Sequence, residues 1–247
     1  SEPVSDEQAQ RHIAAFDEQI ACVQALLELR RRGLGGLRAL RNSKRRALSG
    51  LPPDWRVQLC NRGRAGRYGA ALLVAALTGC RPSELERGVK VWHTQDAATQ
   101  EIEIHFEVAG AKVKRKQGQP HRRLTYAAGD THPLLSMIKA LLPGTAETPV
   151  VIQVASAMNF SAEVQRLAGC LWPSHPHTVT AYCLRHQWGA DAKRNGDADA
   201  VSRGLGHVSR KTQRVYGTAS QGKPAQRLKP LRIEAERPVK GTAPEVA

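Results

Sequence analysis

Between residues 101 and 108 polar and apolar positions alternate without a break. Ile102, Ile104, Phe106 and Val108 fall on one side, and Glu101, Glu103, His105 and Glu107 on the other. A period of two marks a strand with one buried face. Gly110 and Gly118-Gln119-Pro120 bracket a loop, and residues 122–126 return as a second strand, so a hairpin with a basic tip is expected. Elsewhere the period is helical. Ser5 with Gln8 forms a capping box, and Ile13, Phe16, Ile20, Val23 and Leu27 then recur three and four apart, a narrow seam suited to a partner helix or to the body of the protein. That helix is expected to end near Arg32-Gly33. Residues 70–77 are apolar nearly all round and predict a buried helix leading into Thr78-Gly79. Further helices are expected over 134–142, 162–168, 180–194, 199–205 and 210–218. From Gly222 onward, Pro224, Pro230, Pro238 and Pro244 argue for an extended or disordered tail. The predicted class is mainly α with a small antiparallel β-sheet (α+β). Breaks at Gly35-Gly36 and Leu51-Pro52-Pro53 divide the chain into a helical arm with a basic segment over 1–50, a main domain over 51–220 and a tail over 221–247.

Composition narrows the partner. Among 247 residues, Lys and Arg number 37 against 22 Asp and Glu, a formal charge of +15 that calls for a polyanion, either nucleic acid or an anionic membrane surface. The charge is segregated. No acid occurs from Leu29 to Pro53, from Val108 to Gly129 or from Ala200 to Ile233, and each window holds several arginines or lysines. Phosphate contact, with its salt-dependent counterion release, accounts for three such runs better than three separate solvated faces do. Aromatic residues are only 4%, so Leu, Ala and Val must fill the core. The cysteines Cys22, Cys60, Cys80, Cys170 and Cys183 include no C-x-x-C pair and leave one over, as expected of reduced thiols. His175 and His177 have no nearby cysteine or acid, so no metal site is expected. The chain opens without a basic-then-apolar leader and holds no membrane-length apolar run. A cytoplasmic protein with no membrane partner is the expectation. The glycines of residues 63–69 only loosely mimic a nucleotide-binding loop, lacking the preceding apolar strand and the later acid; a basic loop is the better reading.

Four residues then suggest chemistry. Cutting a phosphodiester without a metal requires a nucleophile, positive charge against the pentavalent phosphorus, and an acid for the leaving oxygen. Tyr216 can serve as the nucleophile. Arg81 and Arg185 can grip the non-bridging oxygens with planar, forked donors. His207 can move a proton or donate to the same oxygens. A lysine at the hairpin tip can protonate the leaving oxygen, and Lys112 is the candidate.

Thr78-Gly79-Cys80-Arg81-Pro82-Ser83-Glu84-Leu85 resembles the first conserved box of the tyrosine recombinases, the phage-type integrase family. Residues 182–190 (Tyr182-Cys183-Leu184-Arg185-His186-Gln187-Trp188-Gly189-Ala190) resemble the second box. Leu205-Gly206-His207, followed nine residues later by Tyr216, resembles the ending, where the nucleophile sits on a short helix, and Gly110-Ala111-Lys112 matches the hairpin lysine. The resemblance spans roughly residues 55–219. It implies a recombinase-like catalytic domain that cleaves and rejoins double-stranded DNA through a 3′-phosphotyrosyl link without cofactor, as an integrase of a mobile element, with a homo-tetramer on paired DNA sites. In that reading Arg81, Lys112, Tyr182, Arg185, His207 and Tyr216 are catalytic, and Glu84 anchors the arginine or its neighbours. Arg45, Arg46, Lys114, Arg115, Lys116, Arg122, Arg210 and Lys211 are expected to contact DNA.

Two departures stand out. Tyr182 occupies a position where many family members carry histidine; a phenol can donate to a phosphate oxygen but is no base near neutral pH. The region ahead of residue 51 is also shorter than the family's helical core-binding domain, so it is expected to be a reduced or truncated form of it. The alternatives are a DNA-binding protein that keeps the fold without productive catalysis, and a swivelling topoisomerase of similar chemistry.

Overall fold

The computed structural model describes residues 5–32, 43–95, 101–129, 131–142, 148–194, 198–223 and 228–240. The chain forms two compact units, Ser1–Arg41 and Asn42–Ala247. In the first, helix α1 spans Asp6–Arg32, and its first turn is capped as expected, with the Gln8 N–H donating to Ser5 Oγ at 3.4 Å. The seam residues Ile13, Phe16, Ile20, Val23 and Leu27 are between 53% and 64% exposed. Residues 33–42 of the expected basic segment lie outside the described residues.

The second unit begins before the boundary expected near Gly50. Helix α2 (Lys44–Leu48) buries Ala47 and Leu48 in the main core and packs on a later helix, so it belongs to the body and not to an arm. Helices α3 (Trp55–Gly63) and α4 (Gly69–Thr78) follow. All residues of α4 except Ala70 are buried, which explains its lack of a polar face. It stops at Gly79, whose φ of +60° is the left-handed cap that a side chain would strain. Helix α5 is one turn, Pro82–Leu85.

The strands are β1 (Val89–Gln95), β2 (Ile102–Ala109), β3 (His121–Ala127), β4 (Val150–Ile152) and β5 (Arg232–Ala235), in the antiparallel order β4-β1-β2-β3-β5. β2 and β3 are the expected hairpin. β1 is an addition, although Val89 and Val91 alternate with Lys90 and Trp92 in the same way. The register sets Val91, Phe106 and Leu124 across one inner row, and Val89, Val108 and Arg122 across the next. The apolar members of these rows join the helices in a single cluster of buried side chains.

Helix α6 (Pro133–Lys139) and helix α7 (Ala157–Leu171) bury one face each. Helix α8 (Ala181–Arg194) is central and buries every residue from Ala181 to Asp191 except Tyr182. Inside it, Trp188 Nε1 donates to the Tyr126 hydroxyl at 3.2 Å, and that hydroxyl donates to the Leu77 carbonyl at 2.5 Å. Arg56 and Asp191 form a buried pair at 2.5 Å. Helices α9 (Ala198–Gly204) and α10 (Arg210–Gln213) complete the unit.

The tail departs from expectation. Leu228 is buried and β5 pairs along β3, with Pro230 and Pro238 flanking the strand instead of interrupting it. Prolines at strand ends cost no ladder hydrogen bond, so they were compatible with a strand all along. Residues 224–227 and 241–247 lie outside the described residues.

Candidate active site

Three chain turns deliver the site. The left-handed cap at Gly79 ends α4 and directs Arg81 to the start of α5. There the Arg81 N–H donates to Glu84 Oε2 at 2.7 Å and Arg81 Nη1 to Glu84 Oε1 at 2.6 Å. Helix α8 supplies Arg185, fully buried, with Nη1 donating to the Gly79 carbonyl at 2.7 Å and Nη2 to the Leu205 carbonyl. A second left-handed glycine, Gly206 at φ +67°, turns the chain after α9 and presents His207, whose N–H donates to the Ser202 carbonyl. A Cβ on Gly206 would lie 3.0 Å from Arg122 Nη1, so this turn is tight as well as left-handed.

Tyr216 completes the group. Its ring stacks on His207 at 5.2 Å between centroids, tilts against His186 at 5.0 Å, and lies under the Arg185 guanidinium at 4.8 Å. Burial would raise its phenol pKa, but the charge and hydrogen bonding of Arg185 and Arg81 outweigh burial and hold it below the ordinary phenol value. Arg81, Arg185, His207 and Tyr216, separated by up to 135 positions, therefore share one site. Tyr216 lies three residues beyond α10, in a bend, and not on a short helix as expected. The bend presses onto α8: a Cβ on Gly217 would approach the His186 carbonyl to 2.6 Å.

Arg185 Nη2 also lies 3.3 Å from His207 Nε2. A guanidinium only donates, so Nε2 accepts and the neutral ring carries its proton on Nδ1. Two buried donors of the cluster, Arg185 Nε and His207 Nδ1, have no acceptor among the described residues. Buried donors are rarely left unpaired, and these two suit an oxygen-rich anion.

Burial, then Arg185, Arg81 and Arg122, push His207 down to about 3, and burial, then Arg185 and Arg45, push His186 down to about 4. Both rings are neutral at pH 7. An unfolded histidine takes its proton near pH 6.5, whereas the folded protein refuses it until far lower. These two residues thus contribute stability that is fully present above pH 6.5 and is lost as pH falls toward 4. Each adds a slope approaching ~1.4 kcal/mol per pH unit within that window. Urea midpoints should fall between pH 7 and pH 5, and His186→Phe should lose less over the same interval.

Glu84 is fully buried and anchors the site. Besides Arg81 it accepts from Arg122 Nη1 at 3.2 Å and Nη2 at 2.7 Å. Burial would raise its carboxyl pKa, but Arg122, Arg185 and Arg81 hold it well below the usual carboxylate range.

One expected DNA contact is corrected. Arg122 is buried and bound to Glu84, because its parity with Leu124 and Tyr126 turns it inward. Arg45 donates to the carbonyls of Arg214 and, at 3.2 Å, Tyr216. Arg210 pairs with both oxygens of Asp199, at 2.6 and 2.9 Å. Arg46, Lys114, Arg115, Lys116 and Lys211 are exposed and available to phosphate. Lys112 is exposed on the loop between β2 and β3. Tyr182 stands one turn before Arg185 and is 36% exposed. No group of three metal-binding side chains occurs among the described residues.

The structure adds residues the sequence did not single out. Gln119 donates to the His207 carbonyl at 3.2 Å and to the Arg237 carbonyl at 2.7 Å, tying the hairpin base to the histidine turn and the tail. His186 was visible only as the residue after Arg185, and its contact with Tyr216 depends on the path of the chain after α10. Lys193 donates to the carbonyls of Tyr216 at 3.0 Å and Gly217 at 2.8 Å.

No protein-family model matches the chain, and no curated protein sequence matches it. Two solved structures are similar to it. One is the XerA recombinase, 19% identical, with a TM-score of 0.44 over 67% of this chain and 57% of that one. The other is the XerH site-specific recombinase bound to a palindromic difH substrate in a post-cleavage complex, 18% identical, with a TM-score of 0.42 over 72% of this chain and 48% of that one. The chain thus spans about half the length of these two proteins. Among the described residues, no helix is long and apolar enough to cross a membrane.

Proposed function

We propose that this chain cleaves and rejoins DNA strands by site-specific recombination, with Tyr216 as nucleophile and without a metal. The observation that carries the reading is the convergence of Arg81, Arg185 and His207 on the Tyr216 phenol, with two buried donors left for an anion. In the forward step the Tyr216 phenol releases its proton to solvent as its oxygen attacks phosphorus, and the bond to the 5′ oxygen breaks. The product is a 3′-phosphotyrosyl bond, and the freed 5′ oxygen takes a proton from an acid. Attack by a 5′ hydroxyl reverses the step and reseals the strand with the bond energy retained. Arg81 and Arg185 balance the charge that grows on the non-bridging oxygens. His207, neutral and with its Nδ1 proton free, donates to the same phosphate. Tyr182 orients the phosphate from the exposed end of α8.

Duplex DNA is the partner in this reading, engaged by Arg46, Lys114, Arg115, Lys116 and Lys211, and paired sites would gather four copies. The direct test is a covalent adduct on a nicked duplex carrying the cognate site, formed equally well with EDTA present. Failure to trap one on DNA from beside the gene would return the protein to the class of non-catalytic DNA binders.

Lys112 is the proton donor in this proposal, and its exposed position requires the hairpin tip to close on bound DNA. Lys112→Ala should slow cleavage by roughly 10²–10⁴-fold. Replacing the 5′-bridging oxygen with sulfur, a leaving group that needs no proton, should restore most of that rate.

A further inference from the structure

In the 214–217 bend after α10 the carbonyls of Arg214, Tyr216 and Gly217 are all engaged by side chains from elsewhere in the fold. Arg45, from α2, donates to the Arg214 and Tyr216 carbonyls, the latter at 3.2 Å. Lys193, in the last turn of α8, donates to the Tyr216 carbonyl at 3.0 Å and the Gly217 carbonyl at 2.8 Å. The carbonyl of Tyr216 thus receives two cations at once. Gln221 adds a third tie, its amide donating to the Arg45 carbonyl at 2.8 Å.

The bases of both cations are fixed. Ala47 and Leu48 seat α2 in the core against α8, and α8 carries Arg185 two turns before Lys193. Lys193 therefore shares a helix with the phosphate-gripping arginine, and Arg45 comes from α2, which packs on that helix. Two cations brought together disfavour each other, and burial, then Arg45, lowers the pKa of Lys193. Such a pair persists where shared acceptors offset the repulsion, and here those acceptors are the main chain of the segment that carries the phenol.

We propose that Arg45 and Lys193 are positioning residues that hold the 214–217 bend against α8, so that the Tyr216 hydroxyl is presented to phosphorus before DNA arrives. The proposal rests on the recombinase reading given above. It gives Arg45 a role other than DNA contact, because its Nη2 donates to the protein's own carbonyls. A nucleophile held within a fraction of an ångström reacts far faster than one that must find its place, and misplacement of about 1 Å costs on the order of 10²-fold.

The test uses the full chain and four variants, Arg45→Met, Lys193→Met, Arg45→Lys and Lys193→Arg. With saturating protein on a nicked duplex, each Met variant should cleave roughly tenfold to hundredfold more slowly. The DNA Kd and its salt slope should change less than about twofold, since no phosphate contact is lost. The charge-conserving variants should recover most of the rate. A Kd that weakens in step with cleavage would make these cations DNA contacts and overturn the proposal, as would unchanged cleavage in both Met variants. Hydrogen exchange without DNA gives a readout independent of activity. Amides 212–218 should exchange faster in the Met variants while those of α4 and α8 hold their protection. Unchanged exchange over 212–218 overturns the clamp. If the wild-type protein forms no adduct, the recombinase reading fails, and the exchange result still decides whether Arg45 and Lys193 hold the bend.

Discussion

Tyr216→Phe is expected to abolish the covalent protein–DNA adduct while leaving DNA affinity and fold intact. The ring does most of the packing, stacked on His207 and lying under Arg185, and phenylalanine keeps that area. Only the oxygen goes, and with it the bond to phosphorus. Tyr182→Phe makes the control. Tyr182 lies one turn from Arg185 on α8 and is 36% exposed, so adduct formation should survive its loss at a reduced rate. Gel-shifted, protease-sensitive DNA would read both variants in one experiment. An adduct that persists in Tyr216→Phe and disappears in Tyr182→Phe would exchange the two assignments.

The second large effect concerns stability. Glu84→Gln should destabilise the protein by roughly 3–5 kcal/mol, because it leaves Arg81 and Arg122 buried with an acceptor that no longer carries charge. Arg122 sits on the inner row of the sheet beside Val108, where no water replaces a lost carboxylate. The pH dependence has a definite sign. The folded-state pKa of Glu84 is depressed, so its contribution is fully present above the ordinary carboxylate pKa near 4.3 and is lost as pH falls below it toward the folded-state value. Wild type should lose stability steeply below pH 4, after the histidine-dependent loss between pH 6.5 and 4, and Glu84→Gln should flatten the lower part. Glu84→Asp would distinguish charge from reach. It retains the carboxylate but is one methylene too short for four donors, so an intermediate loss is expected. Chemical denaturation at pH 7 and pH 3.5 measures all three proteins.

The parts of this molecule legible from sequence are those fixed by local pattern. Strict alternation gave β2, the apolar run gave α4, and Gly79 gave the stop after it. Arg81, Arg185, His207 and Tyr216 were singled out as an ordered set by their joint order and spacing and by the resemblance of the surrounding stretches to the tyrosine recombinase boxes. Charge was read less well. A count of basic residues says nothing about which of them already have acceptors, and Arg45, Arg122 and Arg210 each find one inside the protein. Arg122 could have been placed correctly, because the alternation that turns Leu124 and Tyr126 inward turns position 122 inward too. β5 could not, since its pairing partner lies more than a hundred residues upstream and its own four residues carry little pattern. Arg45 was also out of reach, because its acceptors are main-chain oxygens that no side-chain pattern reports.

The tail's return to the body has a kinetic meaning. Ser209 and Lys240 form a parallel bridge, and the Lys240 N–H donates to the Val208 carbonyl at 2.9 Å. The stretch carrying the phenol is thus a closed arc, pinned at both feet and again by β5 along its length. In the proposed recombination a hydroxyl on such an arc would move from phosphorus only by a short excursion. The phosphotyrosine would stay anchored on that arc while the severed 5′ hydroxyl is free to move, so phosphorus is held in place for the return attack.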